Sequence, residues 1–150
     1  TVQDPGEQAA DGLRTVFGGP HATFFPEIIR EPEVDYVFVG EAEESFADFL
    51  DALQAGRTVK DIPNLVMRDA AGNIKRNPLR PFVGDLNTIP FPDRELFAQH
   101  PQFYRADIRS IIASRGCPYN CTYCFNEQYH KLYAGLGSTV RLRSVDNVIQ

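Results

Sequence analysis

Long apolar runs are missing from this sequence. No stretch of its 150 residues approaches the roughly 20 consecutive apolar positions that a helix needs to cross a bilayer. No positively charged region followed by an apolar core opens the chain as a secretory signal would. A cytoplasmic protein with no membrane span is the expectation. Basic charge is also in short supply: 15 Lys and Arg stand against 20 Asp and Glu, for a net charge of -5. That balance counts against a nucleic-acid partner, which requires a basic face. Internal repeats and low-complexity tracts are absent. Cysteine is scarce, with three in all, and an odd count in a chain of cytosolic character counts against a disulfide framework. What is present is globular in kind, since 43% hydrophobic and 23% charged residues exclude a disordered chain.

The first third has the rhythm of an α/β fold. "RTVFGG" (residues 14–19) reads as a short strand ending in a double-glycine turn, and "VDYVFVG" (residues 34–40) as a second strand, again closed by glycine. Continuous β-branched and aromatic runs of this kind suit strands buried on both faces of a parallel sheet. Between them "FFPEIIRE" suits a short helix with Pro26 in its first turn. From Glu44 the period changes: Phe46, Phe49, Leu50 and Leu53 fall at i, i+3, i+4 and i+7, and Gly56 closes a helix with that apolar face. Strand–helix–strand–helix is most simply half of a doubly wound, Rossmann-like sheet.

"NLVMRDAAGNIKRN" (residues 64–77) predicts a β-hairpin turning through Asp69 and Gly72. Pro78, Pro81, Pro90 and Pro92 then punctuate a segment without helical or strand period, expected as a linker along a surface. These features divide the chain into residues 1–60, 61–106 and 107–150. In the last part a strand over residues 108–113 runs into the cysteines, and "NEQYHKLYAG" begins a helix. At the end Ser144 can cap another helix with Val145, Val148 and Ile149 on its apolar face. Opening on Thr1 and stopping as a helix starts, the chain is expected to be a piece of a larger protein.

All three cysteines lie in "SRGCPYNCTYCFN", as Cys117-x3-Cys121-x2-Cys124. Structural cysteines would scatter rather than cluster. "CTYC" alone resembles a redox pair, but such a pair has no use for Cys117. Zinc wants four tetrahedral ligands, and His130 can complete a Cys3His set, although every thiolate here comes from one loop. Soft thiolates also select iron–sulfur clusters, and a [4Fe–4S] cube normally takes four cysteines. Three from one loop would hold three irons and leave the fourth open to a ligand. Gly116 permits the unusual backbone angles of a loop wrapped around a cluster, and Pro118 stiffens it. Arg115 is either a positive charge near an anionic cluster or a solvated surface residue.

With aromatic Tyr123 just before its last cysteine, this loop resembles the cluster loop of the radical S-adenosylmethionine superfamily. The resemblance implies that Cys117, Cys121 and Cys124 ligate a [4Fe–4S] cluster whose fourth iron is chelated by S-adenosylmethionine. Reduction then releases a 5′-deoxyadenosyl radical that takes hydrogen from substrate. Tyr123 inherits a place near the adenine, or packs under the loop.

"VFGGPHATFFPE" followed by "VDYVFVGEAEESFADFL" resembles the latter part of the cobalamin-binding domain in the B12-binding branch of that superfamily. The resemblance implies that Gly18, Gly19, Pro20 and His21, with Gly40 and Glu41 on the neighbouring strand end, line the pocket of the cofactor's nucleotide tail. His21 is not an axial cobalt ligand on this reading, because the Asp-x-His-x-x-Gly motif is absent. Where members of the branch carry Gly-Glu-Gly-Glu, this chain has "GEAE", with Ala42. The implied architecture is the end of a cobalamin-binding domain, a hairpin and proline-rich linker, and the start of a radical S-adenosylmethionine barrel. With residues 107–150 alone, the barrel is far short of the roughly 200 residues it needs, so the piece by itself is expected to be inactive. The implied partners are a small-molecule substrate and an electron donor such as flavodoxin or ferredoxin. The implied reactions are methyl transfer and oxidative ring closure. Two alternatives stay open: an α/β domain that no longer binds cobalamin, and a non-enzymatic zinc module.

Overall fold

The computed structural model describes residues 13–97, 100 and 111–149. The chain forms two compact units that divide between Arg80 and Pro81.

The first unit is built on a four-stranded sheet of order β1-β2-β3-β4. Its strands are β1 (Val16–Phe17), β2 (Tyr36–Phe38), β3 (Leu65–Arg68) and β4 (Ile74–Arg76). β1 and β2 run parallel, with Val16 opposite Tyr36 and Phe17 opposite Val37. β2 and β3 run antiparallel, pairing Tyr36 with Met67 and Phe38 with Leu65, and β3 and β4 close the expected hairpin. The sheet is therefore mixed, where the sequence suggested a parallel one. The hairpin adds directly to β2, and its two strands reverse direction.

β2 is buried along its whole length, as a central strand should be. Alternation along it feeds two cores. Tyr36 and Phe38 face Leu65, Met67, Phe49, Ala52, Val59 and Ile62. Val37 and Val39 join Ala22, Ile29, Val34 and Val66. The first core is covered by helix α2 (Glu43–Gln54), with Phe49 edge-on to Tyr36 at 4.8 Å and to Phe38 at 5.5 Å between ring centroids. The second is covered by helix α1 (Gly19–Phe24) and a 3-10 turn over Pro26–Arg30. β1, expected to be buried on both faces, instead leaves Val16 and Phe17 exposed.

α2 ends as its glycine predicts. Gly56 is left-handed at φ 61°, its N–H bonds the Leu53 carbonyl, and the Arg57 N–H reaches back to Ala52. Its buried face is rotated from the expected one: Ser45, Phe49 and Ala52 point inward, while Phe46, Leu50 and Leu53 lie at the edge and are partly exposed, Phe46 still edge-on to Phe38 at 5.6 Å. The buried hydroxyl of Ser45 explains the rotation, because it donates to Asn64 Oδ1 at 3.0 Å.

In the second unit β5 (Ser114–Arg115) pairs antiparallel with β6 (Arg141–Leu142). The expected strand over residues 108–113 falls partly outside the described residues, and Ile111 to Ala113 carry no strand. The strand begins at Ser114, where β6 supplies hydrogen-bonding partners, and runs straight into Gly116. Helix α3 (Asn126–Leu132) follows the cysteines, and α4 (Val145–Val148) is capped by Ser144, whose hydroxyl accepts from the Asn147 N–H.

The proline-rich segment is more than a surface linker. Phe82 and Leu86 are buried in this unit; Phe82 stacks on Tyr133 at 3.8 Å, and the Arg141 guanidinium lies 4.1 Å from its ring centre. Arg141 also donates to the Val83 carbonyl at 3.1 Å. The prolines themselves stay exposed, which is why their density reads as surface while the residues between them pack inward.

Candidate functional site

The cysteine loop is set by the residue that opens it. Gly116 adopts φ +82°, and a Cβ built on it would lie 1.8 Å from the Thr139 carbonyl oxygen. Both the left-handed backbone and the close approach to residue 139 require glycine there. Beyond it, the Cys124 N–H bonds the Cys121 carbonyl at 3.0 Å, so the last two cysteines share one tight turn. Cys117 and Cys124 are half-buried, Cys121 is exposed, and none is in a disulfide. Tyr123 stands at the tip of the turn, 92% exposed. Packing under the loop is therefore not its role in this conformation.

α3 holds the loop from its other side. His130 Nδ1 lies 3.1 Å from Asn120 Oδ1, between the first two cysteines. His130 Nε2 is buried without a hydrogen-bonding partner. Glu127 and Lys131, one turn apart, form an ion pair at 2.8 Å whose hydrogen bond lowers the Glu127 pKa. Among the described residues, no group of three or more His, Cys, Asp or Glu side chains is gathered as a metal site.

The glycine residues singled out in the first unit lie at the carboxyl ends of β1 and β2. Gly18 is extended and precedes α1; Gly19 (φ +84°) and Gly40 (φ +78°) are left-handed. A Cβ on Gly18 or Gly19 would meet nothing within 4 Å, so these positions leave open space beside the turn. Pro20 and His21 are exposed in the first turn of α1, and the His21 ring lies 5.3 Å from that of Phe25. Glu41 is half-buried, and its carbonyl accepts a hydrogen bond from Asn64 at 3.2 Å. The two glycine turns meet through Thr23. Its hydroxyl donates to the Gly19 carbonyl and accepts from the Gly40 N–H, each at 2.9 Å.

No family model matches the chain. Over 156 residues, covering all of it, the chain is 35% identical to an uncharacterised methyltransferase of Pyrococcus horikoshii and spans 32% of that protein. It is 26% identical over 166 residues to the cytidylyl-2-hydroxyethylphosphonate methyltransferase of Streptomyces wedmorensis, covering 90% of this chain and 30% of the relative. The chain thus spans about a third of the length of the curated relatives it matches. Its fold matches part of OxsB, a cobalamin-dependent S-adenosylmethionine radical enzyme solved with aqua-cobalamin and S-adenosylmethionine bound. The TM-score is 0.61 at 24% identity, over 88% of this chain and 17% of that one. The chain is thus similar in sequence to part of these methyltransferases and similar in fold to part of a cobalamin-dependent S-adenosylmethionine radical enzyme.

The donor set of the cysteine loop is chemically apt for a soft metal centre. Three unpaired thiols are soft ligands, they lie within one loop, and one of them is open to solvent. The structure does not gather the three around one centre, so a metal bound here would have to draw them together. Two residues of the glycine edge escaped the sequence reading. Thr23 follows Gly19 by four positions, a helical spacing that aims its hydroxyl back at the turn. Asn64, left-handed at φ +66° and fully buried, left no local signal, since its partners lie up to 25 residues away.

Proposed function

We propose that this chain belongs to an enzyme in which Cys117, Cys121 and Cys124 hold three irons of a [4Fe–4S] cluster. The fourth iron is left to S-adenosylmethionine, with Tyr123 beside the adenine. On this reading Gly18, Gly19, Pro20, His21, Gly40 and Glu41 line the nucleotide tail of a cobalamin. The observation that carries it is the trio of disulfide-free thiols at x3 and x2 spacing, opening from a glycine that no other residue can replace. When bound, the cluster and S-adenosylmethionine supply one-electron chemistry, and cobalamin supplies a transferable methyl group.

The protein's own part is to hold these groups. Cys121 and Cys124 sit on one tight backbone turn, α3 contacts the loop through His130 and Asn120, and the Gly18–Gly19 turn leaves open space for a ligand against bare backbone. The methyltransferase names of two relatives support methyl transfer, and a magnesium-protoporphyrin IX monomethyl ester cyclase that also matches, at 28% identity, supports oxidative cyclisation beside it. A small-molecule substrate, a flavodoxin or ferredoxin as electron donor and a cytoplasmic setting complete the proposal. The buried, partnerless His130 Nε2 is the observation that favours a second reading, a Cys3His zinc site.

Anaerobic reconstitution of the full-length protein separates the two. The cluster reading expects about four irons and four sulfides per chain, with an electron paramagnetic resonance signal that changes on adding S-adenosylmethionine. Stoichiometric zinc without sulfide, or a reduced-cluster spectrum indifferent to S-adenosylmethionine, would overturn it.

A further inference from the structure

The two glycine turns of the first unit sit at the carboxyl ends of neighbouring parallel strands, β1 and β2, where open α/β sheets bind ligands. They are not equally supported. The Gly40 turn is fastened to the sheet by Asn64, whose side-chain amide donates to the Val39 carbonyl at 2.7 Å and to the Glu41 carbonyl at 3.2 Å. The Val39 N–H in turn bonds the Asn64 carbonyl at 2.9 Å. The Gly18–Gly19 turn has open space where side chains would be. Between the two stands Thr23, 6% exposed, its hydroxyl proton given to the Gly19 carbonyl and its lone pair to the Gly40 N–H. A hydroxyl has one proton to donate and two lone pairs, so its donor and one of its acceptor sites are committed to backbone. Both bonded glycines are left-handed, a conformation that glycine adopts readily and other residues rarely.

We propose that Thr23 is a positioning residue: its hydroxyl sets the gap between the two glycine turns and thereby the affinity of this edge for the nucleotide tail of a corrinoid. The inference rests on the cobalamin reading given above. It deepens that reading by naming a residue that touches no ligand yet sets the shape of the site. The hydroxyl alone makes both bonds. Serine therefore preserves the function and valine, nearly the same shape, weakens it.

The test uses the full-length protein with Thr23→Val and Thr23→Ser, titrated by absorbance with hydroxocobalamin and with cobinamide, which lacks the nucleotide tail. Thr23→Val should weaken hydroxocobalamin binding by up to about thirtyfold, the loss expected of two neutral hydrogen bonds if both act wholly on the bound state, and Thr23→Ser should stay within about twofold of wild type. Cobinamide affinity should be the same for all three proteins. Hydrogen exchange at the Gly40 amide should quicken in Thr23→Val and not in Thr23→Ser. Wild-type affinity in the valine variant, an equal loss in the serine variant, or an equal loss for cobinamide overturns the proposal. A wild type that binds neither corrinoid sinks the cobalamin reading and the affinity claim with it. The coupling of the turns is then decided by Gly40 exchange, and an unchanged rate in Thr23→Val refutes that too. Should the valine variant fail to fold, Thr23→Ala takes its place in every arm.

Discussion

Replacing Asn64 by alanine should be among the most damaging single changes in the first unit. The side chain is fully buried and makes four hydrogen bonds: to the Val39 and Glu41 carbonyls at 2.7 and 3.2 Å, and from Ser45 Oγ and the Arg80 N–H at 3.0 Å each. At about 1 kcal/mol net for each bond, the loss is about 4 kcal/mol. That is a large share of the roughly 5–15 kcal/mol by which a domain is stable. Backbone strain is the rival account, since Asn64 sits at φ +66°. Glycine would relieve about 1–2 kcal/mol of left-handed strain relative to alanine, but costs about 0.5–1 kcal/mol in chain entropy. Asn64→Gly and Asn64→Ala should therefore fall within about 1 kcal/mol of each other if hydrogen bonds dominate. Urea denaturation of both variants and wild type, followed by far-ultraviolet circular dichroism, gives the comparison. A loss in the alanine variant below about 1 kcal/mol, or near-complete recovery in the glycine variant, would refute the reasoning.

Gly116→Ala places a methyl group 1.8 Å from the Thr139 carbonyl oxygen in a left-handed backbone, so the loop must shift. Iron and sulfide incorporated on anaerobic reconstitution should fall severalfold, and wild-type loading would count against the loop geometry. Asp69 caps the hairpin turn, accepting from the Ala71 and Asn73 N–H groups at 2.9 and 2.8 Å. The hydrogen bond from the Asn73 backbone, followed by that from its side chain, holds the Asp69 carboxyl below the ordinary carboxylate pKa. The folded state thus binds the proton more weakly than the unfolded one. The contribution is complete above the ordinary carboxylate pKa and disappears as pH falls through the depressed one. Hydrogen exchange across β3 and β4 should quicken in that acid window for wild type and show no such step in Asp69→Asn; identical pH profiles would contradict the assignment.

Local chemistry alone was enough to place several elements. The hydrophobic run of β2, the glycine that ends α2, the serine that caps α4 and the Asp69–Gly72 turn are all found where their residues put them, because each is decided within a few residues. That the three cysteines share one loop was equally legible, being a matter of spacing. Pairings between distant segments were not. That β3 runs antiparallel to β2, that Ser45 rather than Leu50 faces the sheet, and that Phe82 leaves a proline-rich stretch to stack on Tyr133 all depend on partners about 20 to 50 residues away. Thr23 and Asn64 belong to the same class. A hydroxyl and an amide carry no mark of which backbone groups they will meet until the sheet has brought those groups within reach. The periodicity of a segment records which side must be dry, and only the assembled core decides what dries it.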